Sequence, residues 1–139
     1  NMAISVYTKY TAGVESLAEG TNAQTAVWKV ALTNTINIAD TTFTPGTSDL
    51  PTAGGYTAGG NDATLVSSSG VSGIFKLVLN SPAIWTATGA GFTYRYAILY
   101  NSTLNVPIGC WDYGSSQLVT ASETVQIVLD AINGVFQIT

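Results

Sequence analysis

Residues 92–100 read Phe-Thr-Tyr-Arg-Tyr-Ala-Ile-Leu-Tyr, a run dense in aromatic and β-branched side chains with a single charge. Such a run suits a strand buried on at least one face and mostly on both, and it is expected to be the central strand. Turn-forming residues occupy 101–105, and residues 106–113 predict a second strand returning against the first. Upstream, residues 26–33 alternate with period two. Val27, Lys29 and Ala31 point one way and Trp28, Val30 and Leu32 the other, so a strand with its Trp28 face inward is expected.

The same alternation places Phe75, Leu77 and Leu79 on an inward face and Lys76 outward, over a strand at 74–79. Residues 61–68 precede it across the polar stretch 69–73, as in a hairpin or as two successive strands. Pro82 interrupts the pattern, 83–87 predict a short edge strand, and Thr88-Gly89-Ala90-Gly91 turn into the central run. Beyond the hairpin, 114–117 read as a turn and 119–131 as a strand in two halves about Ser122 and Glu123, with Val125, Ile127 and Leu129 facing one way. Asn133-Gly134 is a strong hairpin signal, and 135–138 close the sheet.

The front of the chain carries a different period. Tyr7, Tyr10, Val14 and Leu17 recur at three and four residues, the spacing of a helix face, and Gly20 stands where a helix-ending glycine belongs. The intrinsic propensities of Val6, Tyr7, Thr8, Tyr10 and Thr11 oppose a helix, as do Gly13 in mid-segment and Glu15 and Glu19 at the negative end of the dipole. The balance predicts a helix within 1–20, held by packing of its stripe on the sheet. Residues 34–53 have no sustained period and predict a loop of a length usually reserved for function or an interface. Gly54, Gly55, Gly59 and Gly60 bracket Tyr56, which suits a turn or bulge that pins or presents that ring. The whole predicts one mainly β domain over 1–139: a β-sandwich or flattened barrel of about eight short strands over 26–139, with one N-terminal helix.

Composition changes this picture in one respect. Charged residues make up 9% of the 139-residue chain, against about 25% in a usual globular protein, while the hydrophobic share of 46% is ordinary. A surface so poor in charge is covered by Thr, Ser, Asn and Gly or by other subunits, and the second is the expectation. The net charge of −4, with only Lys9, Lys29, Lys76 and Arg95 basic, argues against nucleic acid as a partner. No run of about 18 apolar residues predicts a membrane span, and the first residues, without the basic and apolar regions of a signal peptide, give no expectation of export. Asn1 ahead of Met2 reads as a residue added in expression, with Met2 as the natural start.

The chemistry-bearing residues form no recognisable catalytic set. There is no histidine, so Ser115 and Ser116 have no ready base, and Cys110 between Gly109 and Trp111 reads as a small core residue. Asp40, Asp49, Asp62, Asp112 and Asp130 are scattered and lack calcium-loop spacing; the glycine-rich loop lacks the helix and lysine of a phosphate cradle. No enzyme activity, cofactor or metal is expected. Among the aromatic residues, Tyr56 and Trp85 border loops or a sheet edge and are the best placed to stack on a sugar or make a binding contact.

Three pieces taken together carry a resemblance: Tyr7-Thr8-Lys9-Tyr10 through Glu15-Ser16-Leu17-Ala18-Glu19-Gly20 to Trp28-Lys29-Val30-Ala31-Leu32-Thr33-Asn34-Thr35; the loop Gly55-Tyr56-Thr57-Ala58-Gly59-Gly60; and Arg95-Tyr96-Ala97-Ile98-Leu99-Tyr100-Asn101 with Trp111-Asp112-Tyr113-Gly114-Ser115-Ser116. Over nearly its whole length the chain resembles a group of small virion structural proteins of tailed bacteriophages. The resemblance implies a helical front segment and a non-enzymatic protein present in many copies, a capsid decoration or cement protein with a tail or neck component as the alternative. It further implies a homo-oligomer, a trimer by the symmetry of capsid threefold positions, with the major capsid protein or tail proteins as partners and the virion, assembled in the host cytoplasm, as the location. A carbohydrate- or receptor-binding module acting through Tyr56 or Trp85 is the competing expectation.

Overall fold

The computed structural model describes residues 6–18 and 24–138. Strand β7, Phe92–Asn101, lies in the middle of a five-stranded antiparallel sheet, as its two-sided apolar pattern predicts. The long strand β8, Val106–Val119, returns along one side of it and carries β1, Val6–Lys9, at the outer edge. On the other side lie β2, Trp28–Thr33, and the two-residue β3, Asn61–Asp62, giving the order β1-β8-β7-β2-β3. A three-stranded sheet, β10-β5-β4, is built from β4 at Leu65–Val71, β5 at Ile74–Leu79 and β10 at Phe136–Ile138. Trp85–Thr86 and Thr124–Val125 pair as β6 and β9.

The sheets stay open, so the architecture is a layered sandwich, with ten strands among the described residues where about eight were expected. The two additional strands are β1, in the segment predicted as helix, and β3, which separates from β4 within the strand predicted at 61–68. The main core lies between the sheets. Trp28, Val30, Leu32 and Leu99 of the large sheet meet Leu77, Leu79 and Phe136 of the three-stranded sheet, together with Val125, Ile127 and Leu129. Ala31, Ile98 and Cys110 point to the opposite face, where Tyr10, Phe43 and Tyr100 join them in a second cluster. Both faces of β7 and β2 are thereby covered.

Two irregularities keep the long hairpin in phase with both cores. Phe92 and Tyr94 face the main core, yet so do Ala97 and Leu99, which an unbroken period of two forbids. The phase changes where the partner of Tyr94 is Gln117 but the partner of Tyr96 is already Asp112. The extra length is in β8. The turn expected at 114–117 is therefore a wide bulge within a continuing strand, closed by Arg95 Nε donating to Asp112 Oδ1 at 2.9 Å and by the Gly114 N–H donating to the same oxygen at 2.8 Å. A smaller slip, Leu99 opposite Gly109 and Tyr100 opposite Pro107, leaves Ile108 as the additional residue.

The front of the chain departs from the predicted helix. Tyr7 belongs to β1, paired with Trp111 and with the two rings 4.9 Å apart, and the helix α1 covers only Thr11–Ala18. Tyr10 is buried and Val14 is 41% exposed, so the predicted stripe does not act as one face. Gly20 and the Leu17 side chain lie outside the described residues. Gly13 explains why a helix that looks weak forms here. It is buried, and a Cβ on it would sit 2.5 Å from the Ile108 Cα, so its bareness is what lets α1 lie directly on the β8 backbone.

At the far end Val125, Ile127 and Leu129 are buried between exposed neighbours, as predicted, but only Thr124–Val125 joins a ladder. Asn133-Gly134 does not fold a hairpin back on that segment. Asp130 Oδ1 accepts from the Ile132 and Asn133 N–H groups, turning the chain so that β10 pairs with β5 instead. Strands β4 and β5 pair as a hairpin, but Ser69, Gly70 and Val71 of the stretch expected to connect them belong to the ladder, so the turn is confined to 72–73.

Candidate functional site

The loop at 34–53 is irregular yet held in place at three points. The Phe43 N–H donates to the Asn105 carbonyl at 2.7 Å and its ring stacks on Tyr100, with centroids 3.7 Å apart and planes at 14°. Asp49 is buried, and its carboxylate accepts from the Gly46 N–H at 2.6 Å, the Gly59 N–H at 2.7 Å and the Tyr56 hydroxyl at 2.5 Å. The Leu50 N–H donates to the Leu32 carbonyl. A buried carboxylate is tolerated where it is fully hydrogen-bonded, and here it joins this loop to the glycine-rich loop. Burial, and then the hydrogen bond to Asp49, raise the Tyr56 hydroxyl pKa well above its ordinary value.

Between these anchors the loop, the entry to α1 and the hairpin enclose a cleft of about 460 Å³. Tyr10, Phe43 and Ile98 form its base and are each about 2% exposed. The rim is polar, formed by Thr35, Asn37, Asp40, Thr42, Thr44 and Thr47. Asn37 Oδ1 accepts from the Ala39 N–H at 3.0 Å, which leaves the amide nitrogen as the end that can donate outward. Asp40 is exposed and, among the described residues, is the one charged residue lining the cleft.

A second surface lies on the outer face of the three-stranded sheet. Val66, Ile74 and Lys76 border a groove of about 450 Å³ with Ala131 and Ile132, and Val66 and Ile132 are 55% and 80% exposed. Strand β4 forms the edge here and, among the described residues, pairs with β5 alone. From Leu65 to Val71 it contains no charge and no proline. The other flank is closed differently: Lys9 Nζ donates to the Gln137 carbonyl at 3.4 Å and lies 4.8 Å from the Phe136 ring centre, tying the β1 edge to the β10 edge.

Tyr56 and Trp85 are not on either surface. The structure does bring them together, with ring centroids 6.4 Å apart, but inside the main core, where they are 1% and 3% exposed. The expectation that they stack on a sugar is corrected on this ground: neither ring has a free face. The glycines are the reason, since a Cβ on Gly60 would run into the Val30 carbonyl, so the loop lies flat on β2 and drives Tyr56 inward. There the Leu32 N–H donates to the Tyr56 hydroxyl at 3.1 Å.

The other residues weighed from sequence have structural surroundings. Asp62 pairs with Lys29 at 2.8 Å and Asp112 with Arg95. Gln117 Nε2 donates to the Ser115 carbonyl at 3.0 Å and to its hydroxyl at 3.3 Å, and Cys110 is buried with its thiol raised to about 11 by burial and then by the Asp112 charge. Among the described residues no three His, Cys, Asp or Glu side chains come together as metal ligands. Compared with protein-family models, with curated proteins and with solved structures, the chain matches none.

Proposed function

We propose that this protein is a non-enzymatic structural subunit of a tailed-bacteriophage particle, a capsid decoration or cement protein that works as a homo-oligomer. The supporting observation is the β4 edge: seven uncharged residues that pair with β5 on one side and, among the described residues, with no strand on the other, beside exposed Val66 and Ile132. Lone soluble domains ordinarily blunt such an edge with lysine, proline or a covering segment. A neighbouring subunit that covers it satisfies the backbone and buries the apolar flank in one step, and closed symmetry repeats the contact. Many modest contacts of this kind hold a decorating layer on a shell through effective concentration. A trimer suits a threefold position on a capsid, and the major capsid protein is the partner surface; a tail or neck site is the alternative.

Sedimentation equilibrium of the purified chain, together with gold-labelled antibody on intact particles, tests this reading. A defined oligomer and label spread over heads support it, and label confined to tails moves it to the alternative. A monomer at all concentrations with no label on particles overturns it.

A further inference from the structure

We infer that the cleft between the loop at 34–53 and the start of α1 binds a neutral saccharide, independently of how the subunit assembles. The inference rests on how unevenly that loop treats its own side chains. Phe43, Asp49 and the Leu50 N–H are spent on fixing it, whereas the side chains of Thr42 and Asp40 make no hydrogen bond or ion pair among the described residues and stand at the cleft. A long irregular loop pinned at three points is a preorganised support for the groups between the pins.

The ligand class follows from the lining. Tyr10, Phe43 and Ile98 are well covered and Ile36 is only partly exposed, so the apolar floor is small, and a ligand that rests on it while pairing many hydroxyl groups with the polar rim gains most. Asp40 accepts from two neighbouring hydroxyls, the Asn37 amide nitrogen donates to a third oxygen, and the threonine hydroxyls do either. With Asp40 the only charge in the lining among the described residues, an anionic sugar or phosphate is repelled. A volume of about 460 Å³ lies in the range of small-ligand sites. Hydrogen bonds without a stacking ring predict weak single-site binding, of use to a protein that presents many copies.

The test is titration of the isotope-labelled full chain with lactose, maltose and N,N′-diacetylchitobiose, followed through amide chemical shifts, with sialyllactose as the anionic control. The expected result is saturable shifts at residues 36–48 with at least one neutral sugar and none with sialyllactose. Asp40→Ala, a substitution on an exposed side chain, is expected to weaken that binding about tenfold or more, the worth of a hydrogen bond to a charged group. Thr42→Val provides a second variant that keeps shape and thermal midpoint. Failure of all three neutral sugars to shift these residues overturns the inference. So does a response only to a lysine- or arginine-bearing peptide, which assigns Asp40 to a protein partner.

Discussion

The Tyr56 hydroxyl donates to Asp49 and accepts from the Leu32 N–H, so one buried oxygen links the long loop, the glycine-rich loop and strand β2. Asp49→Ala removes the acceptor of three hydrogen bonds and leaves buried donors unmatched. A loss of about 3 kcal/mol or more is expected, with a smaller loss of about 1–2 kcal/mol for Tyr56→Phe. Urea unfolding followed by tryptophan fluorescence measures both; equal, near-zero losses would show that the linkage carries no stability.

Gly13→Ala separates two opposed effects. Helix propensity alone makes alanine better by about 1 kcal/mol. The added methyl, however, falls on the Ile108 backbone, which cannot rotate away as a side chain would, and overpacking of this kind costs about 1–3 kcal/mol. Net destabilisation is expected in urea. A stabilised variant would mean that α1 does not lie on β8.

Stability is expected to be flat between about pH 5 and 9 and to fall at both ends, since the chain has no histidine to titrate between them. On the acid side the Arg95 hydrogen bond, then the Gly114 N–H, hold Asp112 below the ordinary carboxylate range. A depressed folded value gives stability that is present above the unfolded pKa, near 4, and lost as pH drops through the folded one. On the alkaline side burial raises Tyr94 and Tyr100 to about 12 from an ordinary 10.0. Their contribution is complete below pH 10 and disappears as pH climbs toward the folded value. Thermal midpoints across pH 2–12 check the plateau, and Asp112→Asn should flatten part of the acid limb.

Val66→Lys places a charge on the exposed flank of the β4 edge. Chain stability should stay within about 0.5 kcal/mol of the parent, because the side chain is largely in water. Self-association should drop, because lysine at an edge disfavours strand pairing. Sedimentation velocity of parent and variant at matched concentration reads the difference, and an unchanged distribution would remove β4 from the subunit contact.

Much of the fold was legible because side-chain direction repeats at short range. The alternations at 28–32, 75–79 and 125–129 name the inward residues correctly even where, as after Val125, no ladder forms. What failed to show was long-range. The bulge at 113–116 depends on Arg95 reaching Asp112 across the hairpin, and the pairing of β10 with β5 depends on Asp130 turning the chain. Tyr7 fits a helix spacing, yet an open edge on β8 takes it into a sheet. The site was legible only as a length. Residues 34–53 were marked out by lacking a period, while the exposure expected of Tyr56 and Trp85 came from their nearness to glycines and a sheet edge. The same glycines press one of those rings inward, and Asp49, the residue that makes its burial acceptable, is seven positions away with nothing in its own neighbourhood to announce it.

The contact between Lys9 and the β10 backbone gives the domain a polarity useful to anyone who attaches something to it. Strands β1 and β10 share one tied flank, while the rim of β4, unpaired among the described residues, looks out from the other. A label carried on that tied flank would thus ride clear of the side on which subunits are proposed to meet.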